Sequence, residues 1–191
     1  MDNREVERKI WFTSDLHFGH DKEFLWGPRG FKSIAEHDRM VIANWNALVG
    51  EDDDVYVLGD LMLGSQEYGL CCISELHGRI HIIAGNHDTD AKMNRYFLEL
   101  GNNVRSIKYA DRLRYKHWEF YLSHYPMLVH NELNHEAHIW NLHGHTHSKD
   151  KFSYPHCYNV ALDAHDNKPV EITEILEDIK NFYNNKNNIM Q

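Results

Sequence analysis

Seven side chains that can bind metal ions lie between positions 15 and 147 of this 191-residue chain, and three of them directly follow a glycine. They are two aspartates, one asparagine and four histidines: Asp15, Asp60, Asn86, His17, His124, His145 and His147. One zinc-like ion takes three or four protein ligands, so seven ligands fit two ions that share one carboxylate. A shared aspartate offsets the repulsion between cations held about 3.5–4 Å apart. The nitrogen-rich set favours manganese, iron, zinc or nickel over calcium or magnesium alone.

Short apolar runs precede these side chains and predict the strands that position them. Such runs, bounded by turn residues, are typical of buried strands. Five of them end at Ser14-Asp15, Gly59-Asp60, Gly85-Asn86, Ser123-His124 and His143-Gly144-His145, and a sixth covers residues 157–162. Ligands of open α/β sheets bind beyond the carboxyl ends of the strands. We therefore expect the seven side chains to meet at one edge of the fold.

Apolar residues at helical spacing between and after these strands predict helices. The first helix follows Ser33, a predicted N-cap, and others cover residues 68–76, 96–100 and 172–183. A hairpin is predicted over residues 112–122, with its turn near Lys116-His117. The Asn-rich segment 184–191 is expected to fray. Because neither a repeat nor a linker interrupts the pattern, residues 1–191 are predicted to form a single α/β domain.

The composition narrows the function and the location. The net charge is 20 − 29 = −9, which argues against strong binding of duplex nucleic acid. The three cysteines, two of them adjacent, do not make a disulfide framework and favour a reducing compartment. No apolar run approaches the ~18 residues of a membrane span, and the charged first nine residues do not resemble a secretory signal. We therefore expect a cytoplasmic protein without a membrane partner.

In their order along the chain, the polar motifs resemble those of the calcineurin-like metallophosphoesterases. The family's five blocks are matched by Asp15-x-His17, Gly59-Asp60, Gly85-Asn86-His87-Asp88, His124 and Gly144-His145-x-His147. Two further segments resemble the small bacterial and phage-type subgroup, namely residues 15–20 and the stretch from Asn159-Val160 to Asp163. The resemblance implies a four-layer α-β-β-α sandwich of two mixed β-sheets flanked by helices. It also implies a dinuclear phosphoesterase that hydrolyses a phosphodiester or phosphomonoester by attack of a metal-bridging hydroxide.

The resemblance also gives each motif residue an expected role. It assigns one divalent ion to Asp15, His17 and His147 and the other to Asn86, His124 and His145. Asp60 bridges the two ions in this arrangement, and manganese is the expected metal. His87 is not a ligand in the family; it would protonate the leaving oxygen or bind a phosphoryl oxygen. Asp88 is interpreted as a supporting residue that either orients His87 or caps the next helix.

One departure from the superfamily bears on the substrate. Its protein Ser/Thr phosphatases carry an arginine soon after the Gly-Asp motif, whereas residues 61–64 contain none, which argues against a protein phosphatase. Arg29 is therefore the candidate cation for the substrate, with a solvated loop arginine as the alternative. His20, three residues past His17, is interpreted either as a substrate contact or as an exposed loop residue.

A metal-dependent phosphoric ester hydrolase that acts on a small phosphate ester or a nucleotide is the preferred interpretation. A phosphodiesterase is favoured over a monoesterase, because a site with few cationic side chains binds a monoester dianion less well. The alternative is a metal-binding or interaction module that uses the same fold without turnover, but all seven ligands and His87 are present. A nuclease is disfavoured because the chain is short and acidic.

Overall fold

A computed structural model describes residues 8–129 and 138–189, with side chains up to residue 184. Within these ranges nine strands form two mixed sheets. The first sheet comprises β1 (Ile10–Thr13), β2 (Asp54–Val57), β3 (Arg79–Ile83), β4 (Val104–Lys108) and β9 (Val170–Glu171), in the spatial order β4-β3-β2-β1-β9. The second comprises β5 (Ala110–Tyr115), β6 (Trp118–Ser123), β7 (Ile139–His143) and β8 (Cys157–Asn159), in sequence order. Strands β1–β4 are mutually parallel, as are β6–β8, whereas β9 and β5 are antiparallel to their neighbours.

Local capping interactions fix where the main helices begin. The described ranges contain α1 (Glu23–Trp26), α2 (Ile34–Asn46), α3 (Gln66–Ser74), α4 (Asp90–Glu99) and α5 (Ile172–Ile189), and a 3₁₀ turn at Leu162–Ala164. The hydroxyls of Ser33, Ser65 and Thr89 each accept a hydrogen bond from the third following backbone N–H, so α2, α3 and α4 start one residue later. Among these helices none has both the length and the apolar composition needed to cross a bilayer.

Two hydrophobic cores hold the layers together. The first lies between the first sheet and helices α2–α4 and buries Trp11 and Trp45. The second joins the two sheets through Phe12 and Phe120 and includes Ile175 of α5. Trp11 and Phe12 enter different cores because successive side chains of a strand point to opposite faces. Two mixed sheets flanked by helices confirm the α-β-β-α sandwich that the sequence motifs imply.

The structure differs from the sequence-based elements at several places. Strands β4 and β9 lie at the two edges of the first sheet and were not predicted, because β4 carries charged residues and β9 has only two residues. The strand predicted over residues 157–162 ends at Asn159, and Ala161 forms only an isolated bridge with Ser14. Helix α5 continues to Ile189 within the segment expected to fray, since each residue added to a nucleated helix gains a hydrogen bond. Residues 190–191 of that segment lie outside the described residues.

Candidate metal centre

The carboxyl ends of five strands bring all seven predicted ligands together. The ligands follow β1, β2, β3, β6 and β7 within a few residues of the last paired position. Parallel pairing of β1 with β2 and of β2 with β3 sets the first three ends at one edge of the first sheet. The ends of β6 and β7 reach the same place from the second sheet, because the Asp15 carboxylate accepts a hydrogen bond from the backbone N–H of His145 at 2.8 Å.

The first group of ligand atoms comes from Asp15, His17 and His147. The Nε2 atoms of the two histidines lie 3.2 Å apart. The Asp15 Oδ1 atom lies 3.7 Å from His17 Nε2 and 3.6 Å from His147 Nε2. Three potential donors of electron pairs thus surround one small volume, as a metal ion requires.

The second group comes from Asn86, His124 and His145. The Asn86 Oδ1 atom lies 2.9 Å from His124 Nε2 and 3.1 Å from His145 Nδ1. The two ring nitrogens are themselves 3.2 Å apart. This trio has the same compact shape as the first, with an amide oxygen in the place of the carboxylate oxygen.

Asp60 stands between the two groups. Its Oδ2 atom lies 3.7 Å from His17 Nε2 in the first group and 3.5 Å from His124 Nε2 in the second. Its other oxygen, Oδ1, accepts a hydrogen bond from the backbone N–H of His87 at 2.8 Å. The carboxylate is therefore fixed in an orientation that presents one oxygen to both groups.

The chemistry of these contacts fits divalent cations. The Nδ1–H of His124 donates to the carbonyl oxygen of Leu58 at 2.8 Å, so its Nε2 carries a lone pair that faces the Asn86 oxygen, another acceptor. The Oδ1 atom of Asp15 is buried and has no hydrogen-bond partner among the described residues. A buried carboxylate oxygen without a partner is unfavourable unless a cation joins it, and a cation would likewise join the His124 nitrogen to the Asn86 oxygen. The ligand set therefore suits metal ions and is poorly explained without them.

Backbone strain is concentrated at the same residues. In the described ranges nine non-glycine residues have positive φ, and five of them are predicted ligands: Asp15, His17, Asp60, His145 and His147. Their φ values lie between +48° and +67°, a region that costs a non-glycine residue of the order of 1 kcal/mol or more. Such strain persists where the surrounding structure enforces it, commonly at functional sites.

Two glycines allow the ligands to approach the backbone. A Cβ atom at Gly85 would collide with the Asp60 carboxylate, and one at Gly59 would collide with the His124 ring. Gly59 also has φ +97°, which side chains rarely tolerate. Close passage of the chain beside the ligands is therefore possible at these two positions because they are glycines.

Electrostatic shifts at Asp15 and His145 favour the forms that bind metals, whereas at His147 burial is outweighed by the hydrogen bond to Asp163, which raises the pKa. Burial alone would raise the pKa of Asp15, but the neighbouring imidazoles of His17 and His147 outweigh it and hold the pKa at about 2. Burial, together with the nearby His124, lowers the pKa of the His145 imidazole. An ionised carboxylate and a neutral imidazole are the forms in which these groups bind metals.

His87 and Asp88 lie beside the ligand groups. The His87 side chain is 40% exposed, and its Nε2 atom lies 3.9 Å from Asp60 Oδ2. Asp88 is buried and neither contacts the His87 ring in the described structure nor caps α4, which begins after Thr89. Its Oδ2 atom instead accepts from the backbone N–H of Asp60 at 2.7 Å. Asp88 therefore supports the turn that carries the Asp60 carboxylate, a position that neither sequence-based alternative anticipated.

Arg29 and His20 occupy different surroundings from each other. The Arg29 side chain is only 1% exposed and forms an ion pair with Asp163 at 2.7 Å, below the first ligand group. It is therefore not the solvated loop arginine of the alternative interpretation, nor does it present its guanidinium to solvent. The His20 ring lies 5.5 Å from the His17 ring, at the rim of the site. Burial, assisted by the charge of His17, lowers the pKa of His20 to about 4.

Sequence reasoning missed Asp163 as part of this site. Its Oδ2 atom lies 3.2 Å from His147 Nδ1, on the opposite side of the ring from the ligand nitrogen. The signal was present, because Asp163 closes the segment that begins at Asn159-Val160. Asp163 follows a sixth predicted strand, just as the two acidic ligands Asp15 and Asp60 follow strands, and this placement could have drawn attention to it.

Comparison with known proteins agrees with this geometry. The family model described as calcineurin-like phosphoesterase matches residues 8–188. The Gene 66 protein of Mycobacterium phage D29 is 33% identical over 200 aligned positions, which cover 90% of this chain and 97% of the phage protein. An uncharacterised protein of Methanocaldococcus jannaschii is 31% identical, with 89% and 90% of the two chains covered.

A solved structure supports the fold independently. A protein of unknown function from Aquifex aeolicus superposes with a TM-score of 0.65 at 21% identity, covering 89% of this chain and 98% of its own. A likeness at this level of identity speaks for the architecture alone. Together with the family model, which spans nearly the whole chain, these findings show that the protein belongs to the calcineurin-like phosphoesterase family.

Proposed function

We propose that this protein is a dinuclear metal-dependent phosphodiesterase that acts on small phosphate esters or nucleotides. Membership of the family makes it a metal-dependent phosphoesterase, and the proposal adds the number of metals and the substrate class. One observation carries the proposal: Asp60 Oδ2 lies within 3.7 Å of a ligand nitrogen in each of two separate ligand groups. One shared carboxylate between two trios of ligand atoms is the arrangement that two cations need.

The residues divide the work of hydrolysis. Divalent cations bound here, with manganese as the proposed metal, supply Lewis acidity and lower the pKa of water. Asp15, His17 and His147 would hold one cation, Asn86, His124 and His145 would hold the other, and Asp60 would contribute to both. His87, whose exposed ring adjoins Asp60, donates a proton or hydrogen bond to the phosphate ester.

The preference for a diester is argued from two buried cationic side chains, those of Arg29 and Lys92. A monoester carries a second negative charge that a diester lacks. A free cationic side chain in the site would therefore favour binding of a monoester. The Arg29 guanidinium is engaged by Asp163 and the Asp15 carbonyl. The Lys92 ammonium donates to the carbonyl oxygens of Met62 and His87 at 2.7 and 2.8 Å. Neither side chain is free to neutralise the extra charge of a monoester.

The test uses two chromogenic substrates and one defined metal. Protein freed of metal with a chelator is loaded with Mn²⁺ and assayed with bis-p-nitrophenyl phosphate and with p-nitrophenyl phosphate. We expect two Mn²⁺ per chain, hydrolysis only after loading, and a larger kcat/KM for the diester. Chelator-resistant hydrolysis would contradict the metal mechanism, and a larger kcat/KM for the monoester would contradict the substrate class. Two bound Mn²⁺ without turnover of either ester would favour a binding module.

A further inference from the structure

A chain of buried polar contacts leads away from the first ligand group. The Arg29 guanidinium donates through Nε and Nη2 to the two carboxylate oxygens of Asp163, at 3.1 and 2.7 Å. Its Nη2 also donates to the carbonyl oxygen of Asp15 at 2.9 Å, and its Nη1 lies 2.9 Å from His37 Nε2. The guanidinium therefore joins the Asp15 turn, which carries ligands, and the segment of Asp163 to helix α2.

At one end, this series of contacts reaches the ring of a predicted ligand. His147 Nδ1 lies 3.2 Å from Asp163 Oδ2, and its Nε2 faces the other ligands of the first group. A carboxylate cannot donate, so in the contact with Asp163 the His147 Nδ1 carries the proton and Nε2 keeps its lone pair for a metal. The Arg29 Nη2 atom is the more distant neighbour of Nδ1, at 3.5 Å. Both carboxylate oxygens of Asp163 accept from the Arg29 guanidinium, so the carboxylate is held in place beside the ring.

At the other end, the series of contacts reaches the loop that follows Asp15 and His17. Because Arg29 donates to His37 Nε2, the Nδ1–H of His37 is free to donate to Asp38 Oδ1, 2.7 Å away. The second oxygen of Asp38 accepts from the backbone N–H of Gly19 at 3.0 Å. His37 and Asp38 are both buried. Every proton in this series has one direction, so the side chains and the loop are held in a single arrangement.

We propose that Arg29 and Asp163 are positioning residues that fix His147 as a metal ligand, and that Arg29 does not contact the substrate. The proposal rests on the dinuclear site proposed above. It predicts a difference between the two groups, because His124 in the second group is oriented by the backbone carbonyl of Leu58. Loss of the Asp163 charge should therefore weaken only the ion held by the first group.

In the experiment, Mn²⁺ is added to protein that has been freed of metal, and the bound ions are counted by electron paramagnetic resonance. Wild type should bind two ions and show the exchange-coupled signal of a neighbouring pair. Asp163→Asn should bind one ion as wild type does and the second about 10–100-fold more weakly. At two equivalents of Mn²⁺ its spectrum should be that of isolated ions. Asp178→Asn is the matched control, since Asp178 accepts from Lys151 and Tyr158 away from the ligands and should leave both affinities unchanged.

Each outcome separates this proposal from the proposed function. Wild-type affinities for both ions in Asp163→Asn would overturn the positioning role, and so would equal weakening of both ions. Failure of wild type to bind two ions would instead overturn the dinuclear function. If Asp163→Asn does not fold, Arg29→Gln takes its place, because it leaves Asp163 present but removes the paired hydrogen bonds that hold it. The same weakening of one ion is then expected, and unchanged binding overturns the proposal.

Discussion

The strands of the first sheet carry carboxylates and imidazoles near both ends, but the two sets are paired differently. Towards the amino-terminal ends, His81 of β3 lies between Asp54 of β2 and Ser106 of β4, with both contacts at 3.0 Å. A ring N–H can donate to Asp54 while the Ser106 hydroxyl serves the other nitrogen. Beyond the carboxyl ends, Asn86 Oδ1 after β3 faces His124 Nε2, which follows β6 of the second sheet, and both atoms are acceptors.

This difference shows why residue types alone do not identify a metal site. Both ends offer aspartate and histidine, yet among the described residues of these two ends it is Asp15 Oδ1, at the carboxyl ends, that is a buried carboxylate oxygen without a partner. Backbone conformation gives the same answer, because Asp60 and His145 have positive φ whereas Asp54 and His81 do not. Unpaired acceptors on a strained backbone mark the site that needs a cation, and paired groups on regular strands contribute to stability alone.

The largest effect should come from the shared carboxylate. Asp60→Asn removes the charge that faces both ligand groups, so we expect the Mn²⁺ content to fall below two per chain. The kcat/KM for bis-p-nitrophenyl phosphate should fall about 10³-fold, equal to about 4 kcal/mol of transition-state stabilisation. Elemental analysis and a steady-state assay measure the two effects.

The matched control for this variant is Asp54→Asn at the opposite end of the sheet. It makes the same chemical change in a carboxylate that has partners with hydrogen atoms to donate. Both metals and nearly all activity should remain. Equal loss of metal in the two variants would show that the comparison between the ends is wrong.

A smaller effect is expected at His87, which contacts Asp60 but lies outside both ligand groups. His87→Ala should retain two Mn²⁺ and lose about 10²-fold in kcat, since it removes a general acid or a hydrogen-bond donor. His81→Ala, a histidine with fully paired neighbours, serves as the control and should keep kcat. Loss of metal from His87→Ala would instead make His87 a ligand.

Sequence alone predicted the ligand set because each ligand follows an apolar strand, and parallel strands must end at a common edge. The order of the five motifs was enough to indicate the two-sheet fold. The contacts of Asp88 and Arg29 were beyond such reasoning, since they depend on which buried groups need partners after folding. Asp88 accepts from the backbone of the Asp60 turn, and Arg29 pairs with Asp163, 134 positions away in sequence.

His165 lies outside both ends of the strands, and its buried side chain makes the stability of the fold depend on pH. Burial lowers the pKa of His165 to about 4, and its Nε2 lies 2.9 Å from the Asn159 carbonyl oxygen. The unfolded chain, with a pKa near 6.5, binds the proton more readily. The stability contributed by neutral His165 is thus intact above about pH 6.5 and lost as the pH falls towards 4.

The measurement is urea unfolding of wild type and His165→Gln at several pH values. Between pH 7 and pH 5 the free energy of unfolding of wild type should fall by about 2 kcal/mol more than that of the variant. Glutamine can still donate to the Asn159 carbonyl but does not titrate, so the difference isolates His165 from the other histidines. Parallel pH profiles for the two proteins would contradict the burial argument.

The smallest effect is expected from Ser106→Ala in the middle of β4, beside His81 of β3. The variant removes the hydroxyl that contacts His81 Nδ1, but the His81 side chain is 17% exposed, so water can replace that partner. We expect the free energy of unfolding to fall by about 0.5–1 kcal/mol, with Mn²⁺ binding unchanged. A loss of several kcal/mol would mean that the hydroxyl satisfies a group that water cannot reach. Weakened Mn²⁺ binding would mean that the two ends of the strands are coupled, because His81 would then be transmitting its orientation along β3 to Asn86.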